Sequence, residues 1–230
     1  MNSEIAKSAE FLSKSRMKGV KKMKVLMING SPHEKGTTYT ALHEISRILN
    51  ENNIDTEIVN LGNGAIRDCI GCLACRKLDN KCVFDDDVIN TISEKAKDAD
   101  GFIFGTPVYY AHPTGRLLSA LDRIFYSASS YFQHKPGAVI ACARRAGTTA
   151  SVDVLNKYLT IAQMPVVSST YWNVAHGANG DDVLKDEEGI QTLKNLAQNM
   201  TWLLNCIEAG KNNGITPPRA DKSKRTNFIR

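Results

Sequence analysis

The stretch MKVLMINGSPHEKGTT, residues 23–38, contains the pattern from which the fold can be predicted. Its first seven residues form a mostly apolar run, which is typical of a β-strand buried on both faces of a parallel sheet. A loop with two glycines and a proline follows, and residues 37–53 then repeat apolar side chains, among them Leu42 and Ile45, at helical spacing. A strand, a short glycine-containing loop and a helix in this order indicate the first unit of an α/β domain.

The same alternation continues to the end of the chain. The predicted strands are residues 23–29, 56–61, 100–105, 137–143 and 165–170. The predicted helices are residues 37–53, 85–98, 113–127, 149–163 and 187–208, and the second of these begins with three aspartates that would favour the helix dipole. Five strands alternating with helices predict a flavodoxin-like three-layer α/β sandwich whose five-stranded parallel sheet has the order 2-1-3-4-5.

Composition excludes several classes of protein. The chain has 230 residues, of which 42% are hydrophobic and 23% are charged, a balance typical of globular proteins. No apolar run approaches the ~18 residues of a membrane-spanning helix, and the first residues lack the continuous apolar segment of a signal peptide. We therefore expect a cytoplasmic protein, in which a cluster of cysteines serves metal or redox chemistry more readily than structural disulfides.

The net charge of +5 is concentrated at the two ends of the chain. Residues 1–24 and residues 211–230 each carry +5, so residues 25–210 carry −5. We predict an N-terminal extension over 1–22, an α/β domain over 23–210 and a polar basic C-terminal tail over 211–230. An acidic domain does not favour nucleic acid as a partner, and no segment points to a membrane.

Three loops are expected to meet at the carboxyl ends of the strands, where ligands bind in such sheets. Residues 30–38 combine hydroxyls, glycines and the start of a helix, as a phosphate site does. Residues 106–115 contain two prolines and two tyrosines, which suit a flat heteroaromatic ring. Residues 143–150 add a pair of arginines beside a glycine, which could face an anion.

Several common motifs are absent from the sequence. The first loop is not the GxxxxGK[ST] loop of nucleoside triphosphatases, and it is not the GxGxxG loop of dinucleotide-binding domains. A Ser/His/Asp arrangement or an H-E-x-x-H motif does not stand out either, so hydrolase chemistry has no support. The loops favour a phosphate monoester held by hydroxyls and backbone amides.

The sequence resembles a known family in three segments, MKVLMINGSPHEKGTT, CIGCLACRKLDNKCVFDDD and GFIFGTPVYYAHPTG, which occur in this order. Together they resemble the NADPH-dependent FMN reductase and iron–sulfur flavoprotein group of flavodoxin-like proteins, over residues 23–208. The resemblance implies non-covalently bound FMN, usually at a subunit interface, and hence a homodimer or homotetramer. Members of the group often have Arg or Lys in place of His33.

The resemblance also implies which residues contact the cofactor. The flavin N5 would carry the chemistry, so no side chain is predicted to be catalytic. The phosphate would be held by Ser31, His33, Gly36, Thr37 and Thr38. The isoalloxazine ring would lie along Pro107, Val108, Tyr109 and Tyr110, with looser contacts from Arg145 and Gly147.

Four cysteines follow the second predicted strand in the pattern C-x-x-C-x-x-C, then six residues, then C: they are Cys69, Cys72, Cys75 and Cys82. This spacing can supply four thiolates to a [4Fe–4S] cluster or to zinc. It resembles the compact motif of the iron–sulfur flavoproteins, whereas many flavin reductases of the group keep the pattern as free thiols. The three alternatives stay open. Cys142 and Cys206 lie on apolar stretches and are predicted to be core residues.

Two functions are compatible with these features. The first is an FMN-dependent oxidoreductase that passes electrons from NAD(P)H as co-substrate to a quinone, a flavin or another small acceptor. The second is a non-catalytic iron–sulfur flavoprotein that carries FMN and a [4Fe–4S] cluster and exchanges electrons with a redox protein.

Overall fold

The computed structural model describes residues 22–224, 226 and 228, so the predicted N-terminal extension lies almost wholly outside the described residues. The strands in chain order are β1 (Lys24–Asn29), β2 (Asp55–Asn60), β3 (Gly101–Tyr109), β4 (His112–Pro113), β5 (Gly137–Ala143) and β6 (Val174–His176). The parallel strands have the order β2-β1-β3-β5-β6, and β4 pairs antiparallel with the end of β3. This order confirms the predicted flavodoxin-like sheet.

Helices cover both faces of the sheet. They are α1 (Thr37–Glu51), α2 (Ile89–Asp98), α3 (Gly115–Ala128), α4 (Thr148–Ile161), α5 (Gly180–Val183) and α6 (Glu187–Asn212), with 3₁₀ turns at Ala74–Arg76 and Ser129–Tyr131. Helices α1 and α6 pack with one core, and α2, α3 and α4 pack with the other. The predicted three-layer sandwich is therefore present.

Strand β1 shows how one sequence supplies both cores. Leu26 and Ile28 belong to the core beneath α2, α3 and α4, whereas Val25 and Met27 belong to the core beneath α1 and α6. Side chains alternate across a strand, so a central strand covered on both faces must be apolar throughout. All four side chains are fully buried.

The helix predicted to begin at Asp85 begins at Ile89 instead. The side chains of the preceding aspartates are engaged in the loop, because Asp85 accepts a hydrogen bond from Asn90 at 2.9 Å and Asp87 accepts one from the Ile89 amide at 3.1 Å. The aspartates therefore end the cysteine loop, and the prediction that they open the helix was wrong.

The fifth strand lies later in the chain than residues 165–170. Val166 forms a single isolated bridge with Gly137, and the chain then leaves the sheet until β6. The side chain of Asn173 donates a hydrogen bond to the Val139 carbonyl at 3.1 Å. This side chain therefore takes the place of the backbone amide that a longer neighbouring strand would have provided. The predicted position of this strand was wrong, although its place in the sheet order is correct.

Two further side-chain features bear on the predictions. Cys142 is buried in β5 as expected, whereas Cys206 is exposed on α6, so the prediction that Cys206 is a core residue was wrong. Helix α6 presents its apolar side to the sheet through residues such as Leu196 and Met200, and Cys206 lies off that side.

Among the described residues, no helix has both the length and the apolar character that crossing a bilayer requires.

Candidate functional site

A cavity of about 440 Å³ lies at the carboxyl ends of β1, β3 and β5. It is lined by parts of all three loops that the sequence singles out, as expected for a ligand site at the point where the strand order reverses. Seven of the predicted cofactor-binding residues line it: Ser31, His33, Gly36, Thr37, Pro107, Val108 and Tyr109.

The other four predicted residues lie beside the cavity rather than along its wall. The side chain of Thr38 is fully buried in the first turn of α1, and Tyr110 extends into solvent at the turn between β3 and β4. Gly147 precedes α4, and Arg144 rather than Arg145 lines the cavity. Contacts from these four residues to a cofactor stay predictions.

Asn29, at the end of β1, holds the first loop in place. Its Oδ1 accepts a hydrogen bond from the Ser31 amide at 3.1 Å, and its Nδ2 donates to Asn60 Oδ1 at 2.9 Å. Ser31 Oγ then accepts from the His33 amide at 3.1 Å. Asn29 was not among the predicted site residues, although a polar residue at the end of an apolar strand is a readable signal.

The start of α1 is left open for an anion. Its N-cap residue, Gly36, has no side chain to cap the helix, and the first turn contains no acidic residue. The first amide groups of a helix lack partners within the helix and carry the positive end of its dipole. Together with Ser31 on the cavity wall, this helix end fits the phosphate of FMN.

The second loop is tied directly to the first. Thr114 Oγ1 donates a hydrogen bond to the Gly30 carbonyl at 3.0 Å and accepts one from the Leu117 amide at 3.3 Å, which caps α3. A Cβ at Gly30 would lie 2.8 Å from the Gly105 carbonyl oxygen. Glycine at position 30 therefore lets β1 and β3 approach closely where both enter the cavity.

The third loop is joined to the second through Gly147. This residue has φ +88°, and a Cβ there would lie 2.8 Å from Cγ1 of Val108, which lines the cavity. Both its conformation and the available space require glycine at this position. The start of α4 is thus held against the segment predicted to lie along the flavin ring.

A fourth segment completes the cavity and was missed from the sequence. Residues 177–180 line it, and the Gly177 amide donates to the Ala143 carbonyl at 3.1 Å. A Cβ at Gly180 would lie 2.6 Å from Thr40 Oγ1, so this segment packs closely on α1. The two glycines in GANG were a usable signal, but the short helix at Gly180–Val183 was not predicted. Lys35 and Arg144 add cationic side chains to the wall.

Cys142, at the end of β5, also lines this cavity. Burial raises the pKa of its thiol to about 12. The thiol is therefore protonated at neutral pH and is not available as a nucleophile. The cavity offers a phosphate cradle and a platform for a flat ring rather than an activated side chain.

The four clustered cysteines meet at a second, much smaller cavity. Cys69, Cys72, Cys75 and Cys82 all line it, together with Phe84, Arg123 and Tyr126. Among the described residues, no three Cys, His, Asp or Glu side chains are arranged to hold one metal ion. A [4Fe–4S] cluster binds each thiolate through a different iron, so its ligands surround a larger space. The four thiols that line this cavity match the number of ligands that such a cluster takes.

Arg123 is the charged group of this second cavity. Its side chain is fully buried, its Nη1 donates to Asp87 Oδ2, and its Nε donates to Cys82 Sγ at 3.3 Å. Burial lowers the pKa of Arg123, but the bonds to Asp87 and Cys82 outweigh this effect and hold the pKa above its ordinary value. Arg123 was not among the predicted site residues, because a lone arginine on a helix resembles a surface residue.

Comparison with solved structures shows the same fold in a reductase and an oxidoreductase. A flavone reductase matches with a TM-score of 0.61 at 18% identity over 81% of this chain and 64% of that chain. An NAD(P)H:quinone oxidoreductase from Methanothermobacter marburgensis matches with a TM-score of 0.60 at 16% identity over 78% of this chain and 98% of that chain. At these identities the likeness concerns the fold.

Sequence comparison identifies relatives over most of the chain. An iron–sulfur flavoprotein of Methanocaldococcus jannaschii is 29% identical over 81% of this chain and 100% of its own length. An iron–sulfur flavoprotein of Methanosarcina thermophila is 27% identical over 82% of this chain and 99% of its own length. The profile of the NADPH-dependent FMN reductase family matches residues 23–179, which include every predicted cofactor-binding residue and the four clustered cysteines. The chain therefore belongs to the NADPH-dependent FMN reductase family.

Proposed function

We propose that this protein is an FMN-dependent oxidoreductase that takes a hydride from NAD(P)H and passes the electrons to a small acceptor such as a quinone or a flavin. The observation that carries the proposal is the cavity at the strand ends, which is lined by both an uncapped helix start and a proline- and tyrosine-containing segment. Family membership supports the flavin, and the proposal adds its electron donor and acceptor.

The residues of the chain would bind and orient the cofactor. The amides at the start of α1, with Ser31 Oγ, would hold the phosphate, and Pro107 and Val108 would set the plane of the ring. Tyr109, which is 46% exposed, would cover part of the ring and leave room for a second flat molecule. Bound FMN would accept and donate the electrons, so the protein needs no side-chain acid or base.

The test is a charge placed at the start of α1. Thr37 is the first residue of this helix and lines the cavity, so the T37D variant puts a carboxylate next to the predicted phosphate. A carboxylate there favours the helix dipole, so the folded protein should be as stable as wild type. We expect FMN affinity to fall at least ~10-fold, as one lost charged contact would cause.

The neutral T37N variant, which is nearly isosteric with T37D, is the matched control for the charge and should bind FMN more tightly than T37D does. Fluorescence titration with FMN and anaerobic NADPH oxidation with a quinone measure the two parts of the proposal. A wild-type protein that binds FMN but turns over neither NADPH nor NADH would overturn the catalytic part. Unchanged FMN affinity in T37D would place the phosphate elsewhere.

A second candidate function is favoured by the cysteine cavity. We propose as the alternative a non-catalytic iron–sulfur flavoprotein, in which the four cysteines hold a [4Fe–4S] cluster and a redox protein is the partner. The convergence of Cys69, Cys72, Cys75 and Cys82 on one cavity supports it, as do the relatives named iron–sulfur flavoproteins.

Iron content on anaerobically prepared protein distinguishes the two functions. The alternative predicts about four irons per chain and a broad visible absorbance beside the flavin bands. The C72S variant should lose the iron and the broad absorbance but keep the flavin bands. The C206S variant is the matched control, because Cys206 is exposed and does not line the cysteine cavity. Flavin with no iron after reconstitution would leave the first function alone.

We also propose that the chain forms a homodimer or homotetramer. Tyr126 is 63% exposed and Ile161 is 84% exposed, and both line one open cavity between α3 and α4. Exposed apolar side chains of this size commonly mark a protein interface. Analytical ultracentrifugation of wild type and of the Y126E/I161E variant would test it, with a monomeric wild type as the contrary result.

A further inference from the structure

Arg123 is the largest side chain that is fully buried among the described residues. A guanidinium group carries a positive charge that burial disfavours strongly unless each N–H group finds an acceptor. Every N–H group of a buried arginine is therefore expected to have a hydrogen-bond acceptor.

Each of its five N–H groups has an acceptor. Nη1 donates to Asp87 Oδ2 and, at 3.3 Å, to the Arg67 carbonyl, while Nη2 donates to the Phe84 carbonyl at 3.0 Å and to Asp87 Oδ1 at 3.2 Å. The remaining group, Nε–H, donates to Cys82 Sγ at 3.3 Å. Four of the five bonds therefore fix the guanidinium plane, and the fifth directs one N–H group at a cysteine sulfur.

These bonds connect α3 to both ends of the cysteine loop. Arg67 precedes the first cysteine, and Phe84 and Asp87 follow the last one. The Asp87 carboxylate neutralises the charge of Arg123 through a two-point contact, which holds planar groups in a defined orientation. The position of Cys82 relative to α3 is thus set by a rigid, fully paired group.

From this geometry we propose that Arg123 is a positioning residue for Cys82, and that its Nε–H group raises the reduction potential of an iron–sulfur cluster held by the four cysteines. The inference rests on the alternative function proposed above. A hydrogen bond to a ligating sulfur withdraws electron density from the cluster and stabilises its reduced form, which is the more negative of the two.

The experiment is an anaerobic, EPR-monitored redox titration of iron-loaded protein. The R123K variant keeps the positive charge but loses the planar fork and its Nε–H group. We expect a cluster midpoint potential more negative than that of wild type, beyond the scatter of replicate titrations. The flavin midpoint should not move, because the charge is kept and Arg123 does not line the cavity at the strand ends.

Arg67 provides a matched control. Its guanidinium lies 5.2 Å from the centre of the Phe84 ring, as that of Arg123 lies 5.5 Å away, and it also pairs with an aspartate, Asp86. Among the described residues, no cysteine sulfur accepts a hydrogen bond from its guanidinium, and its side chain is 58% exposed. The R67K variant should therefore titrate like wild type.

A second variant covers the case in which R123K does not fold. D87E keeps both charges but moves the carboxylate by one methylene, so the guanidinium plane and its Nε–H group should shift away from Cys82. Its cluster potential should change in the same direction as that of R123K. Iron counts and thermal unfolding are measured on every variant.

The outcomes separate this inference from the function on which it rests. Wild-type protein that holds no iron after reconstitution overturns the alternative function and this proposal with it. Wild-type protein with about four irons, together with an unchanged cluster potential in the folded, iron-loaded variants, overturns this proposal alone. A more negative potential in R123K and an unchanged one in R67K establish it.

Discussion

Thr114 Oγ1 donates a hydrogen bond of 3.0 Å to the carbonyl oxygen of Gly30, although 84 residues separate them in the chain. The bond joins the loop after β1 to the loop after β3 at the entrance of the candidate flavin cavity. It also uses the hydroxyl that caps α3, so one side chain sets the relative positions of two loops and a helix.

The T114V variant removes this hydroxyl while keeping the shape of the side chain. We expect the free energy of unfolding to fall by about 1–2 kcal/mol, through loss of the helix cap and of a buried hydrogen bond. We expect FMN affinity to fall as well, because the first loop is no longer held. The T114S variant keeps the hydroxyl and is the control. Urea unfolding and flavin titration are measured on both variants, and equal unfolding free energies and FMN affinities in T114V and T114S would contradict the prediction.

The G147A variant tests the contact between α4 and the second loop. With φ +88° and a Cβ 2.8 Å from Val108 Cγ1, alanine there is strained and displaces a cavity residue. We expect a loss of about 1–3 kcal/mol in stability and weaker FMN binding. Gly115, at the first position of α3, has nothing within 4 Å of its Cβ position, so G115A should be neutral or stabilising. Thermal unfolding of the two variants compares them directly.

Glu57 on β2 gives a pH-dependent prediction. Hydrogen bonds from Lys24 at 2.5 Å and Lys95 at 2.6 Å hold the pKa of its carboxyl below the ordinary value. Since the unfolded chain takes up a proton at a higher pH, this stabilisation is present above about pH 4.3 and is lost as the pH falls through the lowered pKa.

The E57Q variant should therefore be less stable than wild type at pH 7 by roughly 1 kcal/mol or less. The difference should shrink in urea unfolding at pH 3. Glu51, which pairs with Arg47 on the exposed side of α1, is the control, and E51Q should show a smaller difference at pH 7. A penalty for E57Q that is independent of pH would show that charge is not its cause.

Two cysteines outside the cysteine loop should differ in reactivity. Cys142 is buried and burial raises its pKa to about 12, whereas Cys206 is exposed on α6. Alkylation with iodoacetamide at pH 8, followed by peptide mass mapping, should modify Cys206 and leave Cys142 unmodified until the protein is unfolded. Modification of Cys142 at a comparable rate in the folded protein would contradict the buried position.

The same raised pKa destabilises the fold in alkali. An unfolded cysteine ionises near pH 9 but the folded Cys142 only near pH 12, so each pH unit between these values should favour unfolding by about 1.4 kcal/mol. The C142A variant should lose this part of the pH dependence. Urea unfolding at pH 8 and pH 10 measures it, and parallel slopes for the two proteins would refute it.

Much of the fold could be predicted because strands buried on both faces leave an unmistakable pattern. The apolar runs in β1 and β5 placed these strands within a residue, and the loop after β1 together with the end of β3 brought seven predicted residues to one cavity. The predicted position of the fifth strand and the predicted start of α2 were wrong because side chains there take hydrogen bonds that the backbone would otherwise make. Asn173 satisfies an edge carbonyl of β5, and the aspartates before α2 bind side chains and amides of their own loop.

The residues missed in the site have different causes. Arg123 has partners that are distant in sequence, so no local pattern shows it, whereas Asn29, which also binds the nearby Ser31 amide, could have been noticed as a polar residue at the end of an apolar strand. Residues 177–180 reach the cavity only because β6 directs the chain back toward α1. The choice of Arg145 over Arg144 followed a looser family likeness, and neighbouring residues in a turn point in different directions.

The three consecutive aspartates have a consequence for how this chain can vary in length. Each has a separate partner: Asp85 meets Asn90, Asp86 meets Arg67, and Asp87 meets Arg123. An insertion or deletion of one residue here would shift the three carboxylates by one position relative to their partners. The buried Arg123 guanidinium would then lie opposite a different side chain. The stretch between Cys82 and α2 is thus a fixed-length spacer, and grafts of this loop onto another scaffold must preserve it residue for residue.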